Sequence, residues 1–197
     1  MKATRRTLLA VAVIAAVPLL HGCATKIKAS TTTNPPPSQA FSEYGRIHVK
    51  PVVFASGYKG NVAALDKIAE NFSKEMAPSV QKWNSVPANG RTLTVEPVVE
   101  QISFKSGAKR VFLGPFAGSS GVLMRVTYRD QTGKVIAQPQ FFQRAGAMSG
   151  GFTLGVQDNL MLFRVAKLAS DYTVANYARA VGGPTGADME AVSVAAQ

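Results

Sequence analysis

Hydrophobic and polar residues alternate along several stretches of the chain, and this period of two is typical of half-buried β-strands. The first stretch is 45–54, where Ile47 and Val49 alternate with more polar neighbours. A second stretch covers 91–104, where Pro97 favours an edge position or a bulge because proline cannot donate a ladder hydrogen bond. The sequence therefore predicts one strand in each stretch.

The clearest local pattern is that of a β-hairpin. Hydrophobic residues alternate with polar ones at 122–129, and a second strand-like segment follows at 134–142. The residues between them, Asp130 to Gly133, are typical of a tight turn. We therefore expect two antiparallel strands here.

Two other segments follow the spacing of three and four residues that marks an amphipathic helix. The first begins near Asn61 and is expected to kink or end near Pro78, and the second is expected to end at 182–184. Their apolar positions are Leu65, Ile68, Ala69, Phe72, Met76, Val80 and Trp83, then Met161, Val165, Leu168, Tyr172 and Ala175. The order β-α-β-β-β-α predicts an α+β fold, with a mostly antiparallel four-stranded sheet that packs one face on two helices.

The first 22 residues have a different pattern from the rest of the chain. A basic start is followed by an apolar run of 13 residues from Leu8 to Leu20, which is typical of a secretory signal peptide. As a helix, that run spans about 20 Å, well short of the roughly 30 Å hydrocarbon core of a bilayer. We expect residues 1–22 to be removed on export.

The end of this leader, Leu20-His21-Gly22-Cys23, resembles the lipobox of bacterial lipoproteins, although His21 stands where a small residue is usual. The resemblance implies cleavage between Gly22 and Cys23 and attachment of a diacylglycerol to the Cys23 sulfur. Ala24 follows in place of Asp, which implies carriage to the outer membrane, facing the periplasm. The alternative is a leader cleaved elsewhere, with Cys23 left as an ordinary thiol.

The rest of the chain divides into three parts. Residues 23–40 are rich in threonine and proline, a composition that favours an extended tether, with a partner-recognition motif as the alternative. Residues 41–181 form the single α+β domain. The remainder, 182–197, is expected to be a disordered tail.

Two motifs of the domain are similar to those of a family of small bacterial lipoproteins whose domain has no assigned function. The motifs are Val111 to Gly121 and Tyr128 to Ile136, followed by an alanine-rich C-terminal helix. The resemblance covers about 44–177. It implies an accessory role in the cell envelope and carries over no catalytic residue.

Charge adds a preference for anionic neighbours. The chain has 22 Lys and Arg against 11 Asp and Glu, and without three cations of the leader a net charge of +8 remains. Lys109, Arg110, Arg125 and Arg129 are predicted to form a patch for an anionic envelope component, with ordinary surface charge as the alternative. Nucleic acid is disfavoured as a partner, because no stacking aromatics interleave with these cations.

Groups suited to catalysis or metal binding are few. His48 is the one histidine after the leader, and no cluster has the spacing of metal ligands. The 114–121 loop lacks the Gly-Lys-Ser/Thr ending of a phosphate-binding loop, so we expect no cofactor. A hydrolase would need Ser119 or Ser120 beside His48 and a carboxylate.

These patterns together favour a non-enzymatic envelope lipoprotein. Its domain is expected to bind a protein partner or an anionic envelope component through the exposed face of the sheet. The alternative is a structural subunit that self-assembles by pairing of the edge strand at Val135 to Phe142, which has few charges to prevent it.

Overall fold

A computed structural model describes residues 27–104, 120–145 and 156–187. It confirms an α+β fold with two long helices. In chain order the elements are β1 (Thr33–Asn34), a 3₁₀ turn (Phe41–Glu43), β2 (Arg46–Val49), β3 (Val53–Phe54), α1 (Val62–Asn84), β4 (Thr92–Ser103), β5 (Gly121–Asp130), β6 (Val135–Ala137), β7 (Gln140–Arg144), α2 (Val156–Ala178) and β8 (Gly183–Pro184).

The main sheet is more complex than the mostly antiparallel four-stranded sheet that the sequence predicts. It has six strands: β2 and β3 pair with β4 in parallel, β5 pairs with β4 in the antiparallel sense, and β6 and β7 pair with β5. Each edge is split into two short strands because a proline, Pro51 or Pro139, interrupts it. The parallel pairing follows from the α1 crossover that joins β3 to β4.

Pro97 lies in the middle of β4, a central strand, and not at the predicted edge or bulge. Its partner on β5, Val126, donates its N–H to the Pro139 carbonyl on the opposite side, at 3.1 Å. The Pro97–Val126 pair is therefore a non-hydrogen-bonded pair of the β4–β5 ladder. The proline nitrogen faces the gap between β2 and β3, where no ladder donor is required.

The predicted β-hairpin is confirmed by the antiparallel pairing of β5 with β6 and β7. Its turn is held by the Asp130 carboxylate, which accepts hydrogen bonds from the backbone N–H groups of Thr132 and Lys134 at 2.8 and 3.0 Å. Gly133 completes the turn with a φ of 87°, a conformation that glycine adopts at little cost. The Thr132 hydroxyl donates to the same carboxylate and is the largest cause of the lowered pKa of Asp130. The two backbone N–H groups lower this pKa further.

Helix α1 begins where the sequence predicts, since the Asn61 side chain caps it by accepting from the Ala64 N–H at 2.9 Å. It continues through Pro78 to Asn84 and does not end at the proline. Buried residues on both sides of Pro78, Met76 and Trp83, hold the helix on the sheet. Tertiary packing therefore outweighs the loss of one helical hydrogen bond.

Helix α2 ends at a buried side-chain cap. The Asn176 carboxamide, fully buried, accepts from the N–H groups of Val181 and Gly182, both at 2.8 Å, and donates to the carbonyls of Tyr172 and Gly182. The φ of Gly182 is 77°. This cap reverses the chain and directs it back across the sheet.

The hydrophobic core lies between the two helices and one face of the main sheet. Tyr128 is at its centre, stacked on Phe41 with 4.5 Å between ring centroids, and its hydroxyl hydrogen-bonds the Thr173 hydroxyl at 2.6 Å. Burial raises the pKa of the Tyr128 hydroxyl well above its ordinary value of 10.0. Among the described residues, the largest fully buried side chains are Tyr128, Phe41, Phe72, Phe141, Ile68, Met76, Leu93, Met124 and Met161.

Much of the predicted tether lies against the domain. We call residues 29–38 the strap. Its strand β1 pairs with β8 in a two-stranded ribbon, with Thr33 opposite Pro184 and Asn34 opposite Gly183. Ala29, Asn34 and Pro37 are buried. The part of the predicted tail that the structure describes, 182–187, is thus ordered with the strap, and 188–197 lie outside the described residues.

Candidate functional site

The outer face of the main sheet, which points away from the helices, carries the sequence-predicted cations Arg125 and Arg129. Both are ion-paired to glutamates of β4: Arg129 Nε is 3.0 Å from Glu96, and Arg125 Nη2 is 2.5 Å from Glu100. Lys50 Nζ also contacts Glu96, at 2.7 Å. We call these five residues the ion-pair ladder.

The three cations of the ladder face two carboxylates, so most of their charge is compensated and a net charge of +1 remains. The hydrogen bond from Lys50 is the largest cause of the lowered pKa of Glu96, and Arg129 lowers it further. Both arginines would have to release or share a carboxylate before they could bind an external anion. Lys109 and Arg110, the other two cations of the predicted patch, lie outside the described residues. The anion-binding patch stays a prediction.

Another part of the outer face is covered by the chain itself. Leu123 and Phe142, on β5 and β7, form a small apolar cluster with Ala29 of the strap. Ile27 and Ala187 pack against the same cluster. The surface left open on this face is therefore the part around the ion-pair ladder.

The histidine and serine of the hydrolase hypothesis lie far apart. His48 is exposed and its position on β2 is level with Thr94 of β4, which pairs with Arg129 near the end of β5. Ser120 is fully buried and directly precedes β5. Ser120 and Arg129 are nine positions apart along the chain, about 30 Å of strand. Ser119, like Gly22 and Cys23, lies outside the described residues.

The part of the chain that the structure describes contains no group of three or more His, Cys, Asp or Glu placed to hold a metal ion. Among the same residues, no helix is both long and apolar enough to cross a bilayer.

At each edge of the sheet, an asparagine side chain covers the exposed backbone groups of one residue. At the β7 edge, Asn34 accepts from the Gln140 N–H and donates to the Gln140 carbonyl, both at 2.8 Å. At the β2 edge, Asn84 binds the N–H and the carbonyl of Ile47 in the same way, at 2.8 and 2.9 Å. Each asparagine thus takes the place of a neighbouring strand.

The edge proposed for self-assembly, Val135 to Phe142, is occupied along its length. Besides the Asn34 bonds to Gln140, the Ile136 carbonyl accepts from Ser38 N–H at 3.0 Å, and the Phe142 N–H donates to the Thr185 carbonyl at 2.8 Å. A second copy could pair there only after the strap and the C-terminal segment had left. The structure therefore does not favour self-assembly through this edge.

One stretch of edge is left open, and it borders a groove. The groove lies between the β2–β3 edge and α1, with a volume of about 540 Å³. Phe72 and Met76 form its apolar floor, and the short side chains of Ala69, Ser73 and Ala77 leave it open. The remaining lining residues are Val49, Lys50, Pro51, Val52, Asp66 and Val80.

The sequence gives little sign of this groove. Ala69, Phe72, Met76 and Val80 follow core spacing, and their period of three and four residues predicts only that they face the domain. The available signal is the run of short side chains on one side of that stripe at Ala69, Ser73 and Ala77. These short side chains indicate where the surface of α1 is low, but they do not indicate that a sheet edge lies opposite.

Comparison with known proteins gives only distant similarity. No protein-family model matches the chain, and no curated protein matches it. Among solved structures, the chain resembles the PelC dodecamer from Paraburkholderia phytofirmans, at 15% sequence identity and a TM-score of 0.40, over 68% of this chain and 93% of that chain. A candidate lipoprotein from Caulobacter crescentus CB15 shares 13% identity at a TM-score of 0.33, over 67% of this chain and 88% of that chain. Similarity at this level assigns neither a family nor a function, and the family resemblance drawn from the sequence motifs gains no support from it.

Proposed function

We propose that this protein is an outer-membrane lipoprotein anchored by Cys23, whose periplasm-facing domain is a non-enzymatic binding module. The observation that carries the proposal is the leader that ends in Leu20-His21-Gly22-Cys23, with the one cysteine of the chain at the modified position. A single acyl chain holds a protein to a bilayer only weakly, whereas the two chains of a diacylglycerol anchor it firmly.

The strap limits how far the domain can stand from the membrane. A tether of 17 residues would reach roughly 50 Å. Because Ala29 is already buried against Leu123 and Phe142, the spacer is confined to the residues between Cys23 and about Lys28. Four residues from Cys23 to Ile27 reach at most about 14 Å. The module therefore works close to the bilayer surface.

Two features of the described surface support the proposal of a binding role. Ser120 and His48 are separated by the length of the sheet, whereas the groove beside α1 joins an apolar floor to an open strand edge. Its volume, about 540 Å³, is within the range of 300–1,000 Å³ typical of ligand pockets. We propose that an envelope partner binds in this groove. The ion-pair ladder lies beside it on the outer face of the sheet, since Lys50 belongs to both.

Metabolic labelling with radioactive palmitate and membrane fractionation test the anchor in cells. The natural protein is expected to take up label and to sediment with outer membranes. Cys23→Ser should lose the label and appear in the soluble periplasmic fraction, while Ala24→Ser should behave like the natural protein. Equal sedimentation of unlabelled Cys23→Ser would show that another feature attaches the protein.

A further inference from the structure

We infer that the groove between the β2–β3 edge and α1 receives an extended peptide segment of a partner protein, which adds to the sheet as a strand at Val49. The inference rests on the binding role proposed for the groove and is independent of the lipid anchor.

The backbone polar groups of β2 face alternately toward β4 and toward the groove. On β2, Lys50 N–H donates to the Val95 carbonyl at 2.9 Å, so this residue faces β4. Alternate residues face the other way, as the bonds of Ile47 to Asn84 show. Val49 therefore presents its N–H and carbonyl to the groove, and no described residue pairs with them. An extended peptide can satisfy both groups at once.

Asparagine side chains cover equivalent edge positions elsewhere in the sheet. Asn34 covers Gln140, and Asn84 covers Ile47, two residues before Val49 on the same edge. An uncovered edge promotes unwanted strand pairing, and proteins generally block such edges. On β2, the cover by Asn84 ends at Ile47, and the groove begins at the next outward-facing residue, Val49. A peptide strand could therefore pair with the edge directly after Asn84.

The groove is long enough to hold a short extended peptide. Its α1 wall extends from Asp66 to Val80, about 21 Å of helix. About six residues of extended chain cover that distance at a rise of about 3.3 Å. Alternate side chains of such a peptide would point down to Phe72 and Met76, so apolar residues are expected at every second position.

The charge of the α1 wall refines the chemistry of the partner. Asp66 is exposed at the groove and makes no ion pair with any residue that the structure describes. A lysine or arginine in the peptide would complement it. An acyl chain would fill the apolar floor equally well, but it would leave the Val49 N–H and carbonyl without hydrogen bonds, so a peptide is favoured.

Selection from a phage-displayed library of random decapeptides tests the inference. The target is the chain from residue 23 with Cys23→Ser. We expect enriched peptides to alternate apolar residues and to bind at least tenfold more weakly to Ala77→Phe, which fills the groove. Ala175→Phe, an equal change at an exposed position of α2, should retain binding. Amide hydrogen exchange at Val49 should slow when a selected peptide binds.

Three results would overturn the inference. These are no enrichment above background, equal binding to Ala77→Phe and the natural chain, and unchanged exchange at Val49 with a saturating peptide. Lysophosphatidylcholine serves as the acyl probe: if it displaces the selected peptides while Val49 exchange stays fast throughout, the groove is an acyl site instead. All of these outcomes are independent of whether Cys23 carries a lipid.

Discussion

At the scale of single residues, asparagine side chains take over bonds that backbone groups would make in longer strands and helices. Asn34 and Asn84 each bind both polar groups of one edge residue, and Asn176 closes the end of α2 with four hydrogen bonds. A carboxamide has both donors and an acceptor, as a peptide group does. Losing one therefore leaves two or more backbone groups unpaired.

Replacing Asn84 with alanine tests this role. The change leaves the Ile47 N–H and carbonyl without partners, and we expect it to lower the free energy of unfolding by about 1–3 kcal/mol. Urea denaturation measures the loss. Asn159→Ala, at an exposed position of α2, is the control and should stay within about 0.5 kcal/mol of the natural protein. Equal effects of the two changes would contradict a capping role for Asn84.

The ion-pair ladder predicts a pH dependence of stability. The pKa of Glu96 is lowered in the folded protein, first by the hydrogen bond from Lys50, so its charged form stabilises the fold. That stabilisation is present above the ordinary pKa of 4.5 and is lost as the pH falls through the lower folded-state value. The natural protein should therefore be more stable than Glu96→Gln at pH 7, and the difference should shrink below about pH 4.5. A difference that is constant from pH 7 to pH 3 would contradict the ladder.

At the scale of elements, the structural features that neighbouring residues determine can be predicted from the sequence. The features that depend on residues far along the chain cannot. The hairpin and the start of α1 are fixed by turn and cap residues a few positions away, such as Asp130 and Asn61. The strap was expected to be a free tether, because its threonines and prolines bury little apolar surface. It is held by hydrogen bonds to residues far along the chain, such as the bond of Asn34 to Gln140, 106 positions away, and no local pattern indicates such a partner.

The same limit explains why the groove was not predicted. Its α1 wall could be placed on a helix from spacing alone, but its other wall is an edge of β2 that exists only because β4 pairs in parallel. Only the arginines of the ion-pair ladder can be predicted from the sequence, because alternation along the strand puts Arg125 and Arg129 on one face. Their partners, Glu96 and Glu100, lie on a strand whose register the sequence does not fix.

A pair of glycines tests how tightly the strap is packed. Gly90 and Gly182 have nearly equal φ values, 78° and 77°, so alanine brings similar backbone strain at both, about 1–2 kcal/mol. A β-carbon at Gly90 meets nothing within 4 Å, whereas at Gly182 it would lie 2.5 Å from the Asn34 carbonyl. Gly182→Ala should therefore lower the free energy of unfolding clearly more than Gly90→Ala in urea denaturation. Equal losses would mean that the strap is not held in place there.

At the scale of the whole molecule, the point where the chain reaches the domain sets its orientation on the bilayer. Ile27 lies against the start of β5, where a β-carbon on Gly121 would be 3.8 Å from the Ile27 β-carbon. Phe104 follows the end of β4, beside Gly121, and is partly exposed. Trp83 precedes Asn84, which binds Ile47 at the opposite end of the sheet. Phe104 should therefore face the lipid and Trp83 should face away from it.

Tryptophan quenching by brominated lipids tests this orientation without cellular lipidation. The single thiol of the chain from residue 23 is coupled to a maleimide lipid in vesicles. With Trp83→Phe and Phe104→Trp combined, the bromine atoms should quench the fluorescence strongly, whereas the natural Trp83 should be quenched weakly. Equal quenching at both positions would show that the domain has no fixed orientation.

The proposed function depends on an acylated sulfur at residue 23. Mass spectrometry of the N-terminal peptide, from protein purified out of the producing cell's membranes, tests it most directly. The account predicts a chain that starts at Cys23 and carries the mass of a diacylglycerol, with or without a further acyl group on its amine. A free thiol at Cys23, or a mature chain that starts at another residue, would contradict it.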